Sequence, residues 1–457
     1  MWALAHKLYP VCRSITGDGV RWTLREIARQ LPLDIREVPS GTAVLDWTVP
    51  DEWNIRAAHI TDSRGRRIVD FADHSLHVVS YSVPVSRRMT LAELRPHLHS
   101  LPDQPDLIPY KTSYYRPTWG FCLPHRVVEG LLEDTYEVVV DSTLAPGSLT
   151  YGEALIRGET DEEVLLSAHV CHPSLANDNC SGLALLAWLG RHLGRSRRRY
   201  SYRLLFAPGT IGSIAWLAAN PEKVGRIRHA MTLSNVGDGG GPTYKRSRRG
   251  NADIDRAAAL VLAGAGPEAR IEDFSPYGYD ERQYCSPGFD IPAGAFQRSR
   301  WGTFPEYHTS ADDMTLVRPE HLERSLHLVC RMLDVVEGDQ VLRSTMPYGE
   351  PQLGRRGLYD GPDGRPLPEP VRMALLWVMS LAGGRHSLIA MAERSRLPFH
   401  MLRSAADGLL AKGLLVADNG PGADCRAEVV RAGRRWVRRA KARRGPGPRS
   451  GRPARAK

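Results

Sequence analysis

The run Glu163-Val164-Leu165-Leu166-Ser167-Ala168 reads as a strand and ends on His169, and the loop that follows carries His172 and Asp178 before an apolar helix begins at about Gly182. Two imidazoles and a carboxylate therefore fall in one loop at the carboxyl end of a strand, where α/β folds gather their ligands. Those residue types suit zinc, which takes His nitrogen and carboxylate oxygen. The spacing also suits a plainer role, in which Asp178 caps the helix starting near Ser181 and His169 is a polar strand end. A second polar segment lies far along the chain at Phe304-Pro305-Glu306-Tyr307-His308-Thr309-Ser310-Ala311-Asp312-Asp313. Taken alone, His308 is an ordinary loop histidine; taken with the first cluster it becomes a third ligand.

The elements that must position these residues alternate. Apolar runs predict helix 182–194, strand 202–207, helix 211–219, strand 230–235, helix 253–264, strand 292–296 and helix 318–337. Such alternation indicates an α/β layer fold with a largely parallel sheet. Residues 1–35 have helical spacing broken at Thr16-Gly17-Asp18-Gly19, and short β-type runs (TAVLDWTV, RRIVDF, LHVVSYSV) fill the stretch from Val38 to about Val83. A Pro/Gly-rich linker near 346–370 leads to three short helical patterns and an expected hairpin at 414–430, the pattern of a winged helix-turn-helix.

A chain of 457 residues, 42% hydrophobic, is long enough for roughly three domains. Its formal net charge of +10 is concentrated at one end: residues 429–457 hold twelve Lys or Arg and no acid, which leaves residues 1–428 at −2. The basic character therefore belongs to a terminal segment and not to a nucleic-acid groove in the body. The third winged-helix pattern offers few cations beyond Arg403 and Lys412, so protein contact is favoured over base readout. No run approaches the ~18 apolar residues of a membrane span, and no signal peptide is legible. Seven scattered cysteines fit a reducing, cytoplasmic setting. Oligomeric state is not legible. Residues 441–457, polar and without apolar anchors, are expected to be disordered, and their deletion to leave the melting temperature and any hydrolytic activity unchanged.

The strand end Ser167-Ala168-His169, the turn Ala176-Asn177-Asp178-Asn179-Cys180-Ser181-Gly182 and the late Tyr307-His308-Thr309-Ser310-Ala311-Asp312 segment, in that order, resemble the zinc aminopeptidase family that includes glutaminyl cyclase. A subgroup with a β-rich insert and a winged-helix end, often met in polysaccharide or natural-product biosynthesis, is more similar still. Its signatures resemble Glu52-Trp53-Asn54-Ile55-Arg56, Pro109-Tyr110, Trp119-Gly120-Phe121-Cys122, Asp280-Glu281-Arg282-Gln283-Tyr284-Cys285 and Gly354-Arg355-Arg356-Gly357. The resemblance implies a three-layer aminopeptidase-like sheet with helices on both faces, formed by residues 1–36 and 134–345, a β-rich insert at 37–133 and a winged helix at 346–440. It implies zinc on His169, Asp178 and His308, and an amide-hydrolysing activity on a short peptide or an aminoacylated small molecule.

The chain departs from that pattern where an acid is expected after the strand at 202–207. Gly209 stands there, and Ser234 or Asn235 stands where a further ligand is expected. One zinc per chain, with water at its fourth position, follows. The general base is then sought at Glu281 first, with Asp280 and Glu306 as alternatives and Asp238 behind them; each also suits a carboxylate that orients a ligating His. His172 and His125 are candidates for substrate positioning or proton transfer, and Tyr114, Tyr115 and Trp119 for an apolar wall. Restoring an acid by Gly209→Glu is a route to higher activity if the chain is a weakened enzyme. Aminoacyl transfer on a single zinc, or a scaffold role without catalysis, are the alternatives.

Overall fold

The computed structural model describes residues 1–360 and 365–418. The 441–457 tail and all but the start of the 414–430 hairpin lie outside the described residues. The chain divides into two units, Met1–Glu337 and the residues from Gly338 onward.

In the first unit the strands are β1 (Asp34–Pro39), β2 (Glu52–Thr61), β3 (Arg67–Asp70), β4 (Val85–Thr90), β5 (Thr135–Ala145), β6 (Ser148–Ile156), β7 (Glu163–His169), β8 (Ser201–Ala207), β9 (Ile227–Leu233), β10 (Thr243–Lys245), β11 (Arg270–Glu272) and β12 (Ala293–Gln297). Eight of them form one sheet in the order β1-β6-β8-β7-β9-β12-β10-β11. Its centre, β8-β7-β9-β12, is parallel, while β1 and β6 join antiparallel to their neighbours and β10 is antiparallel to β12 but parallel to β11. Of the central strands, β7, β8 and β12 are buried along their whole length and β9 everywhere but at Arg228, as a parallel sheet covered on both faces requires.

Outside the insert, the helices of five or more residues in this unit are α1 (Trp2–Leu8), α2 (Asp18–Ala28), α3 (Gly182–Leu193), α4 (Ile211–Ala219), α5 (Asp253–Leu262), α6 (Asp280–Tyr284) and α7 (Pro319–Gly338). Neighbouring residues of β8 show which side two of them occupy. A Cβ on Gly190 of α3 would meet Leu204, whereas Arg203 lies under the Trp216 ring of α4, so α3 and α4 cover opposite faces. Arg203 is buried and held by Glu163 at 2.6 Å and Glu153 at 2.9 Å, which keeps its charge compensated inside the sheet.

The insert has its own antiparallel sheet, β3-β2-β5-β4, and its own core around Ile60, Phe121, Tyr136 and Val138. Two expected boundaries and one expected strand differ as a result. Residues 135–145, assigned to the α/β domain, pair with β2 and β4 and belong to the insert. Residues 37–39, assigned to the insert, pair with β6 of the large sheet. LHVVSYSV is not a strand: Ser75–His77 is a 3₁₀ turn and Tyr81 has a φ of +73°, which an extended ladder does not accommodate.

The second unit opens on β13 (Val341–Ser344), which pairs with β14 (Gly383–Ser387) and β15 (Leu415–Ala417). The winged-helix fold therefore starts before residue 346, because the Pro/Gly run that marks the linker lies after its first strand. Helices α8 (Glu369–Leu381), α9 (Leu388–Ser395) and α10 (Phe399–Ala411) supply its core through Leu375, Val378, Met391, Leu402 and Leu409. Among the described residues no helix is long and apolar enough to cross a membrane, and the six described cysteines are thiols.

Candidate active site

The site is built where β7 and β8 end side by side, His169 standing in register with Ala207. The loop that leaves His169 is held by the distant polar segment. The Asp312 carboxylate accepts the Asn177 and Asp178 backbone N–H groups at 2.6 and 3.0 Å, and its backbone oxygen accepts Ala176 N–H at 2.8 Å. Asp238 accepts the Asn177 amide at 2.6 Å and the Ser299 hydroxyl at 2.7 Å, so it braces this loop, and it is not among the residues that line the cavity. Gly182 is required where α3 starts, since a Cβ there would lie 2.5 Å from the Leu233 carbonyl oxygen.

Asp178 does not cap α3: the Ser181 side chain at its N-cap makes no cap bond, and the Gly182 N–H donates instead to Asn179 Oδ1 at 3.1 Å. Its Oδ1 lies 2.7 Å from His169 Nε2 and its Oδ2 lies 3.1 Å from His308 Nε2 and 3.9 Å from His172 Nε2. The structure thus brings His169, Asp178 and His308 together and adds His172, which with His169 and Asp178 forms a cluster whose ligand atoms lie within 4.8 Å of one another. Burial opposes charge on Asp178, yet His172 and His169 around it hold its carboxyl well below the usual range. Burial also holds His172 well below the usual imidazole range, which leaves it neutral.

His169, His172 and Asp178, the group among the described residues whose ligand atoms all lie within 4.8 Å of one another, offer the nitrogen and oxygen donors that zinc takes, and His308 stands outside that group but reaches Asp178. Two ligands on one tetrahedral zinc, with bonds of ~2.0–2.1 Å, stand about 3.3 Å apart. The Asp178 contacts to His169 and His308 fall close to that spacing, and the His172 contact is longer. His308, which lines the site, has a left-handed φ of +56°, a conformation uncommon for a non-glycine residue.

An open cavity of about 200 Å³ lies over His169, His172, Asp178 and His308 and is walled by Tyr277, Tyr279, Trp301 and Tyr307. Tyr110, from the insert, packs its ring 5.0 Å from His308 and 5.2 Å from His172, and its N–H donates to the His308 carbonyl at 2.8 Å. Sequence reasoning missed these walls. Tyr307 is adjacent to His308 in the chain, but Tyr277, Tyr279 and Trp301 reach the site only through folding.

The expected bases are not gathered over the histidines. Glu281 is fully buried, 2.9 Å from the Lys245 ammonium, and accepts Tyr279 N–H at 3.0 Å. It is a buried ion pair and does not line the cavity. Asp280 lies behind His169 in a small polar recess with Ser167, Thr232 and Ser234, and is 2.9 Å from the Ser213 hydroxyl. Burial pushes its carboxyl up to about 6. Glu306 is half-buried and outside the cavity lining. His125 bonds Ser100 and faces Glu129 on an insert helix, Tyr115 is exposed against Trp47, and Trp119 stacks on His97; none of the three lines the cavity.

Gly209 faces a ring, not a vacancy. A Cβ there would come within 2.0 Å of Tyr279 Cε1, and the Tyr279 hydroxyl donates to the Gly209 carbonyl at 2.9 Å and lies 3.3 Å from Cys171 Sγ. The expectation that Gly209→Glu raises activity does not survive this packing. Gly209→Glu is instead expected to lower stability by about 1–3 kcal/mol through overpacking, seen as a lower thermal midpoint with no gain in rate.

A family model described as a domain of unknown function (DUF4910) matches residues 2–339, and a winged helix-turn-helix model matches residues 340–417. A Clostridium acetobutylicum protein named for polysaccharide biosynthesis and an aminopeptidase-like domain is 45% identical over 418 residues, covering 91% of this chain and 95% of its own. The crystal structure of a C. acetobutylicum protein, given a peptidase name without an established activity, superposes with a TM-score of 0.86 at 44% identity, covering 91% of this chain and 96% of that one. A zinc aminopeptidase from Bacillus subtilis superposes with a TM-score of 0.52 at 14% identity, covering 73% of this chain and 94% of that one, a likeness of fold. With its two parts matched end to end in that order, the chain belongs to the DUF4910 family, an aminopeptidase-like fold followed by a winged helix-turn-helix.

Proposed function

We propose that the protein is a zinc-dependent amide hydrolase with a single metal, held by His169, Asp178 and His308. The observation that carries this reading is the Asp178 carboxylate set between two imidazoles at the floor of an open, aromatic-walled cavity. Zinc bound there supplies Lewis-acid polarisation of a carbonyl and acidifies water. The chain supplies the rest. Tyr277, Tyr279, Trp301 and Tyr307 exclude water and stack on the substrate. His172, at the edge of the cavity with its Nε2 3.9 Å from Asp178, is the side chain placed to take a proton at Nε2 from the attacking water and return it to the departing nitrogen.

A cavity of about 200 Å³ is smaller than the ~300–1,000 Å³ of drug-sized ligand sites, so it admits one residue-sized group at a time. The relative named for polysaccharide biosynthesis supports a small biosynthetic intermediate as substrate, ahead of a protein. The winged helix is proposed as a protein-contact module, since Arg403 on α10 is committed to Asp407 at 3.0 Å and to the Gly338 carbonyl at 2.8 Å.

The test is hydrolysis of a panel of amides and short peptides by zinc-reconstituted and chelator-treated protein. Turnover is expected only with zinc. His172→Ala is expected to slow it by ~10²–10⁴-fold with zinc retained. Aminoacyl transfer without hydrolysis, or zinc binding with neither, contradicts the hydrolase reading.

A further inference from the structure

We infer that this pocket selects substrates whose nitrogen next to the scissile group is acylated, not a free ammonium; the inference concerns the substrate class of the site just described and rests on that reading.

The lining of the cavity contains one carboxylate, Asp178, and both of its oxygens face histidine nitrogens. The other acids nearby are turned elsewhere. Glu281 is paired with Lys245 and with the Tyr279 N–H, Asp280 sits on Ser213 in the recess behind His169, and Glu306 lies outside the lining. A primary ammonium brings three N–H donors and a full charge into a site, and burying it without a carboxylate leaves the charge uncompensated.

Tyr279 is the residue that fixes this preference. Its ring occupies the space into which a side chain at position 209 would extend, and its hydroxyl is anchored on the Gly209 carbonyl, so the wall on that side is an aromatic face. With Tyr277, Trp301 and Tyr307 it gives a neutral surface that suits a flat amide or the apolar face of a ring. A protonated amine would meet ring faces there, whose attraction for a cation offsets only part of the cost of desolvating a full charge, and no unpaired carboxylate among the described lining residues.

The test is calorimetric titration of the zinc-loaded full chain, at pH 6.5 so that an α-amine is protonated, with two matched probes, phenylalanine amide and N-acetyl-phenylalanine amide. The acetylated probe is expected to bind at least about tenfold more tightly. Equal affinities, or a preference for the amine, overturn the inference. A double variant, Gly209→Asp with Tyr279→Gly, opens the space and places a carboxylate in it. Provided its melting curve shows it folded, it is expected to strengthen binding of the free amine about tenfold, and an unchanged amine affinity counts against Tyr279 as the determinant. The same titration separates this inference from the functional reading. If the protein as isolated takes up no zinc, the hydrolase proposal fails, while a retained preference for the acetylated probe still supports an acylated ligand.

Discussion

Asp178→Asn is expected to abolish turnover and to weaken zinc binding by more than about 100-fold, because it removes the anion at the centre of the site; even residues that only support a ligand cost 10–100-fold in metal affinity. Both Asp178 oxygens are engaged, one by His169 Nε2 at 2.7 Å and one by His308 Nε2 at 3.1 Å. The amide keeps the shape, so the loop, fastened by Asp312 to the Asn177 and Asp178 backbone, should remain in place. Thermal unfolding of the metal-free variant should therefore stay close to that of metal-free wild type. Metal content after dialysis and rate on the best amide substrate are the two readouts. A variant that keeps zinc and rate would place the metal elsewhere.

Glu281→Gln is expected to lower stability by ~3–5 kcal/mol, the cost of leaving one partner of a buried ion pair without the other. Glu281 is 0% exposed and Lys245 is 3% exposed, so water cannot take over the compensation. The sequence reading sought the general base at Glu281, and for a base this substitution would cost turnover in an intact protein. The packing makes it a loss of fold stability, with activity falling only as far as folded protein is lost. Denaturant unfolding of the metal-free protein measures it. The double replacement Glu281→Gln, Lys245→Met should recover much of the loss, because it removes the stranded cation.

The loop that carries His169, His172 and Asp178 was legible because chain-local features define it: an apolar strand, a polar turn and an apolar helix in succession. The α4 limits, Ile211–Ala219, agree with the sequence pattern for the same reason. Strand partners were not legible. Thr135–Ala145 has the same alternation whether it joins the large sheet or the insert, and pairing with Glu52–Thr61 is decided by tertiary register. The pocket walls were hidden by distance, since Tyr110, Tyr279 and Trp301 come from three separate loops and carry no spacing signal. Glu281 was misread because a polar run next to a site looks like a source of catalytic carboxylates. Its partner Lys245 is 36 residues away and appears only when β10 and α6 are folded together. Gly209 was legible as a missing acid, but not as the neighbour of a ring that fills its space.

The most direct measurement of the central claim is the metal content of the purified full-length chain, by elemental analysis after exhaustive dialysis against metal-free buffer, with Asp178→Asn alongside. One zinc per wild-type chain and none in the variant is the predicted result. Two equivalents in the wild type would contradict the single-metal site, and none in a fully folded protein after zinc reconstitution would contradict the metal-dependent chemistry itself.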